Sequence, residues 1–218
     1  DSIVDFMGIG NEAKKILEKD LVLSEWFTLL QKPAFKELER MELSRQGVDY
    51  RSWRQVGAQW LIKTEYSVLR NGKGQAFTFR LYDAVNKRFL LGKRYRASRD
   101  LFRKTLHRFA DEVVMQLTGL RGNSETQIAF LNQEDAGKEI YLIDFDGYNL
   151  RRLTHDNTLN LSPAWSPDGS KIAFRGETSD PVNSTSPAGI GIWVINSNGT
   201  QAVKLISGDY YHPDWSPD

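Results

Sequence analysis

The chain of 218 residues contains no cysteine and only three histidines, so two common kinds of site are missing from its sequence. Without cysteine, neither a disulfide framework nor a thiolate metal site can form. His107, His155 and His212 stand far apart, and no pair of them has the spacing of metal ligands. No apolar run approaches the roughly 20 residues that span a bilayer. We therefore expect no metal site, no disulfide and no membrane span.

Acidic and basic residues are unevenly distributed along the chain. Residues 1–120 have 22 Lys and Arg against 15 Asp and Glu, a net charge of +7, whereas residues 121–218 have 7 against 13, a net charge of −6. Opposite charge in the two halves indicates two domains that differ in surface character. The sequence predicts an N-terminal domain at residues 1–120 and a second domain at residues 126–218.

The first half alternates helical and strand patterns. In residues 75–84, Phe77, Phe79 and Leu81 alternate with polar residues, which is typical of a strand with one buried face. An apolar stripe at helical spacing runs along residues 100–118, and Gly119 follows it. The predicted strands are residues 3–6, 26–30, 60–70, 75–84 and 88–97, with turns at Asn71-Gly72 and Val85-Asn86, and the predicted helices are residues 11–21, 35–44, 51–57 and 100–118. This pattern predicts an α/β sandwich with helices on one side of a mixed sheet.

The second half repeats itself. QIAFL at 127–131 is similar to KIAFR at 171–175, and IYLIDFDG at 140–147 is similar to IWVINSNG at 192–199. The motif WSPD occurs at 165–168 and again at 215–218, a separation of 50 residues. Strand-rich repeats of about 40–50 residues are typical of β-propeller blades.

The SPDG segment at 166–169 predicts a type I turn, because Pro167 presets φ and Gly169 tolerates positive φ. Asp144, Asp146 and Asp168 all lie in turn sequences, IDFDG and SPDG, where aspartate bonds to the nearby backbone. We therefore do not interpret them as a catalytic or metal-binding cluster.

Successive turns divide the second half into blades. The predicted strands are residues 127–131, 139–144 and 149–153 of one blade, 162–165, 171–175, 191–195 and 202–206 of a complete blade, and 211–215 as the inner strand of the next. This amounts to about two blades, whereas a closed ring needs about 4–8. We therefore expect an incomplete, all-β propeller.

Two features of the first half invite other functional interpretations. GIGNEA at 8–13 fits a dinucleotide-binding loop, but the acidic residue expected about 20 positions later is replaced by Leu29, Leu30 and Gln31. The basic residues of 87–108 could form a nucleic-acid surface, but no recognisable RNA-binding motif accompanies them. We predict no cofactor, and keep a nucleic-acid-binding α/β domain as a less favoured alternative.

Several longer motifs resemble one family. FDGYNLRRLT followed by SPAWSPDGSKIAF, together with HRFADEVVMQLTGLRG at 107–122 and TQIAF at 126–130, resembles the TolB family, the periplasmic component of the Tol–Pal system. The resemblance implies an N-terminal α/β domain and a six-bladed propeller. It implies a non-enzymatic protein of the periplasm that serves cell-envelope integrity, cell division and protein transport, and that bacteriocins exploit during import.

The same resemblance implies two protein partners. Members of the family bind the lipoprotein Pal at the propeller mouth and contact TolA through the N-terminal region. The chain departs from the family in having Ser124 and Gln127 where an aromatic residue and an arginine are usual. Few residues precede the strand predicted at 3–6, where the family has its TolA-binding tail, which leaves TolA binding by this chain in question.

The loops that lead into inner strands are the predicted partner site, because such loops converge at one mouth of a propeller. The predicted contact residues are Asp209, Tyr210, Tyr211, His212, His155, Asn157 and Asn160. A purely structural interpretation, in which Tyr211 and Pro213 only pack an inner strand, remains open. The alternative function is the propeller region of a serine peptidase, although the chain contains no GxSxG motif.

Overall fold

The computed structural model describes residues 9–31, 35–43, 47–68, 75–98, 101–134, 137–178 and 189–217. The chain forms two compact units, Asp1–Glu125 and Thr126–Asp218. No described helix is both long and apolar enough to cross a membrane.

The described residues of the N-terminal unit form four helices and one sheet. Its elements are α1 (Ile9–Leu23), α2 (Lys36–Leu43), α3 (Tyr50–Gln55), β1 (Trp60–Val68), β2 (Gln75–Asp83), β3 (Arg88–Ala97) and α4 (Phe102–Thr118). The sheet has the order β1-β2-β3, and both strand pairs are antiparallel. This meander with helices confirms the α/β class expected from the sequence.

The core of this unit lies between β2 and helices α1 and α4. Alternation along β2 buries Phe77, Phe79 and Leu81 against the apolar stripe of α4. Phe79 and Phe109 stack with their ring centroids 4.4 Å apart. Helix α4 ends where Gly119 adopts the left-handed conformation, with φ 75°, so the predicted stop is confirmed.

Two expectations for the first half differ from the structure. Residues 26–30 form no strand, and Phe27 instead packs edge-on against Trp60 with ring centroids 5.9 Å apart. An apolar run becomes a strand only when a neighbouring strand pairs with its backbone, which periodicity does not report. The described strand pairs are all antiparallel, not mixed. The strand predicted at 3–6, Gly8 of the glycine-rich motif and the Asn71-Gly72 turn lie outside the described residues.

The second unit consists of strands. They are β4 (Gln127–Glu134), β5 (Gly137–Asp144), β6 (Arg151–Arg152), β7 (Asn160–Trp165), β8 (Lys171–Thr178), β9 (Gly189–Asn196) and β10 (Val203–Ser207). One sheet has the order β4-β5-β6 and the other β10-β9-β8-β7. The second sheet is the four-stranded antiparallel blade predicted from the repeats. Trp193, Phe174 and Ile172 from this blade pack with Ile140 and Leu142 of the first sheet.

Residues 211–215 are not a strand, contrary to the prediction. The backbone of residues 211–215 pairs with none of the strands that the structure describes. Hydrogen bonding of the backbone to a partner therefore decides the outcome here, and the WSPD repeat alone does not.

The turn at 166–169 has the geometry that its residues predict. The Gly169 amide donates to the Ser166 carbonyl at 2.9 Å, and Gly169 has φ 69°. The Ser166 hydroxyl donates to the Asp168 carboxylate at 2.6 Å, and Ser170 also donates to it. These hydrogen bonds, of which the one from Ser166 has the largest effect, lower the pKa of Asp168 to about 2.

Candidate partner-binding edge of the propeller unit

Strand register brings the two predicted loops to one edge of the complete blade. Asn160 pairs with Gly176, Gly176 with Gly191, and Gly191 with Ser207. The starts of β7 and β9 and the ends of β8 and β10 therefore line up, and we call this side the upper edge. Residues 153–159 precede β7 there, and residues 208–212 follow β10 there.

A buried carboxylate organises the first loop. Glu139 on β5 is fully buried and accepts hydrogen bonds from Arg152 Nη2 at 2.6 Å and from the Asn157 backbone amide at 2.7 Å. Its second oxygen accepts from the Thr154 hydroxyl at 2.5 Å. Since a buried carboxylate needs such donors, Glu139 holds residues 152–157 in one conformation.

The predicted contacts of this loop are not equally accessible. His155 and Asn157 are exposed, and Asn157 has φ 56° while its side-chain oxygen accepts from Arg152 Nη2 at 3.0 Å. Asn160 is 0% exposed, and its amide nitrogen donates to Asp156 at 2.8 Å. Asn160 therefore supports the loop from inside and offers no surface to a partner.

A buried guanidinium organises the second loop. Arg175 on β8 donates to Asp209 from Nε at 3.2 Å and from Nη2 at 3.0 Å. Its Nη2 also donates to Glu177 at 2.8 Å. The Tyr211 ring lies over the same guanidinium, 4.7 Å from the centroid, and the Tyr211 hydroxyl donates to Asp209 at 3.2 Å. Hydrogen bonds from Arg175, and then from Tyr211, lower the pKa of the Asp209 carboxyl.

Tyr210 packs against Gly208 and His212 lies beside Ser162, so neither contacts Arg175. Tyr210 is 48% exposed, and its ring covers Gly208, where an added Cβ would lie 2.6 Å from Cε2. Gly208 has φ 135°, so its backbone also favours glycine. His212 Nδ1 lies 3.2 Å from the Ser162 hydroxyl on β7. The upper edge thus presents two exposed tyrosines, Tyr210 at 48% and Tyr211 at 55%, beside acidic and imidazole groups, and exposed tyrosines are frequent at protein interfaces.

Sequence reasoning missed Glu139 and Arg175, the two residues that anchor these loops. Their signal was present but weak, because each is a charged residue inside an otherwise apolar strand pattern, KEIYLI and KIAFR. A charge at such a position is rarely buried unless it is paired. Most of the groups that pair with these charges come from other segments of the sequence, such as Asn157 for Glu139 and Asp209 for Arg175, which the strand pattern does not identify.

Two family models match this chain. A family model described as the TolB amino-terminal domain matches residues 3–90, and one described as the TolB beta propeller domain matches residues 114–218. The Tol-Pal system protein TolB of Desulfosudis oleivorans is 39% identical over 160 residues, covering 73% of this chain and 36% of that protein. The protein of the same description from Geobacter sulfurreducens is 34% identical, covering 77% and 38%. The chain thus spans well under half the length of these curated relatives.

A solved structure shares the fold. The crystal structure of TolB from Acinetobacter baumannii superposes with a TM-score of 0.71 over 91% of this chain and 47% of that one, at 22% sequence identity. At this level of identity the likeness concerns the fold, which is an α/β unit followed by part of a propeller.

Proposed function

The chain belongs to the TolB family of Tol–Pal system proteins, and from that premise we propose that it is a non-catalytic protein-interaction scaffold of the periplasm. In this proposal the upper edge of the propeller unit binds the lipoprotein Pal. The observation that carries the proposal is the pair of loops at that edge, each held by a buried charged residue, Glu139 or Arg175.

Preorganised loops favour binding, because a loop already held in one conformation loses little entropy when a partner docks. Tyr210 provides exposed aromatic area and a polar hydroxyl, as contact residues at protein interfaces often do. His155, Asn157 and His212 supply polar groups around it. Bacteriocins would act by competing for the same edge, and other Tol proteins, including TolA, would contact the N-terminal unit.

Calorimetry with the purified soluble domain of Pal tests the proposal. We expect Tyr210→Ala to weaken binding by about 1–2 kcal/mol, and the double variant with Asp209→Ala to weaken it further. Tyr148→Ala is the matched control. Tyr148 is also about half exposed, at 53%, but it follows the far end of β5, away from the upper edge.

If the wild-type chain and a normally folded double variant bind Pal with equal affinity, the Pal site does not lie at this edge. A wild-type chain that does not bind Pal at all would contradict the proposed function of these residues. The peptidase alternative is less well supported, because residues 3–90 match the TolB amino-terminal domain and no GxSxG motif is present.

A further inference from the structure

Arg175 occupies an unusual position for a cation. Its cross-strand neighbours are Leu161 on β7 and Ile192 on β9, and the residue is only 4% exposed. Its Nη1 nitrogen has no hydrogen-bond partner among the described residues. A buried guanidinium loses its hydration, and its ion pairs with Glu177 and Asp209 offset only part of that cost, because these carboxylates are 36% and 59% exposed. The placement of Arg175 therefore needs an explanation other than stability.

Apart from Glu177 on β8, the side-chain contacts of Arg175 come from one short loop. Asp209 accepts from two of its nitrogens, and Tyr211 covers the face of its guanidinium. Among the described residues the loop has no strand pairing of its own. One backbone hydrogen bond attaches it to β9, from Gly208 to Ile190 at 3.0 Å, and a second lies within the loop, from Tyr210 to Gly208 at 3.1 Å. Neither of these bonds sets the side chains of residues 209 and 211.

We propose that Arg175 is a positioning residue that holds Asp209 and Tyr211 against β8 and thereby fixes the loop on which Tyr210 and Tyr211, 48% and 55% exposed, meet a partner. This assignment rests on the proposed function of the upper edge. Arg175 itself makes no contact with the partner and acts through the loop. An arginine suits this role because its planar fork binds a carboxylate through two nitrogens while its face stacks on an aromatic ring.

Nuclear magnetic resonance on the free chain tests the positioning directly. In Arg175→Met, which keeps the length of the side chain but removes its donors, we expect the backbone order parameters of residues 209–212 to fall below about 0.6, the range of flexible backbone. Lys171→Met is the matched control, because Lys171 is an exposed cation at the opposite end of β8. The Nε–H resonance of Arg175 should also shift in Tyr211→Leu, which removes the ring above it.

Affinity for the soluble domain of Pal tests the consequence. We expect Arg175→Met to weaken binding about tenfold and Arg175→Lys to restore only part of it, since a lysine cannot donate through a planar fork. Asp209→Asn added to Arg175→Met should cause little further loss, because the two residues act as one unit. If the Arg175 variants fold poorly, Asp209→Asn alone tests the same pair, because it removes the carboxylate that accepts from Arg175. We expect it to weaken binding by a similar factor.

The outcomes separate the two proposals. Unchanged order parameters of residues 209–212 in Arg175→Met, or additive losses in the double variant, would overturn the role of Arg175 whether or not Pal binds. Lower order parameters in Arg175→Met, together with a wild-type chain that does not bind Pal, would support the positioning of the loop and contradict the Pal-binding function.

Discussion

The indole nitrogen of Trp215 donates a hydrogen bond to the carbonyl oxygen of Ala164 at 3.0 Å. Together with the contact between Ser162 and His212, it fastens the last residues of the chain along β7. Ser162 precedes Ala164 on β7, and their partners His212 and Trp215 follow in the same order. Residues 212–215 therefore run parallel to β7. Inner strands of successive propeller blades follow this course, even though this segment has no strand pairing of its own.

The Trp215 hydrogen bond should have a measurable effect on stability. Trp215→Phe keeps most of the aromatic area and removes the donor, leaving the Ala164 carbonyl without it. We expect the free energy of unfolding to fall by about 1 kcal/mol. Trp26→Phe is the control because Trp26 is largely exposed, at 55%. If chemical denaturation gives the same free energy of unfolding for the wild-type chain and Trp215→Phe, this hydrogen bond contributes nothing to stability.

Glu139→Gln should destabilise the propeller unit far more. The neutral amide cannot accept all the hydrogen bonds from Arg152, Thr154 and Asn157 that converge on the carboxylate. We expect a loss of about 2–4 kcal/mol in denaturant unfolding. Asp214→Asn, on an exposed carboxylate of the same unit, should change little. A loss below about 1 kcal/mol would show that the loop does not depend on Glu139.

Titration of Asp168 provides a test of the SPDG turn. Its folded-state pKa of about 2 lies below its ordinary value, near 3.9, so the turn is favoured above about pH 4 and this contribution disappears as the pH falls towards 2. Carboxyl carbon chemical shifts measured against pH should report the depressed value. Ser166→Ala, which removes the first hydrogen bond, should raise the pKa, and an unchanged pKa in that variant would assign the shift to another cause.

The outer edge of β10 should promote self-association. Strand β10 is the last strand of its sheet, and Leu205 is 65% exposed on it, next to the exposed Val203 and Ile206. Unpaired edges with exposed apolar residues are sites of aggregation. We expect sedimentation analysis to show concentration-dependent association that Leu205→Lys reduces. The same association in Leu205→Lys would place the contact elsewhere.

Ser162 and His212 resemble a nucleophile and its base, but we expect no hydrolysis. A serine nucleophile needs its histidine oriented by a third group. His212 Nε2 has no such partner among the residues that the structure describes. Nitrophenyl ester assays should show no saturable turnover in the wild-type chain. An activity that disappears in Ser162→Ala, with folding intact, would contradict the non-catalytic proposal.

Local patterns predicted most of the secondary structure. The meander of β1–β3, helix α4 with its Gly119 terminus, and the four strands of the complete blade all follow from periodicity and turn residues, which act over a few neighbouring positions. Residues 26–30 and 211–215 have strand-like sequences but form no strands. In both, pairing with a second segment decides the outcome, and periodicity does not report such pairing.

Periodicity, repeats and motifs in the sequence were enough to predict the α/β class of the first half, the repeating blades of the second and the family to which the chain belongs. They also indicated the two loops at the upper edge. How those loops are held depends on contacts that form only in the folded chain. Asp209 meets Arg175 across 34 residues of sequence, and Asn157 meets Glu139 across 18. A buried charge is stable only with its partner, and that partner is brought to it by folding, so no local pattern could name either pair.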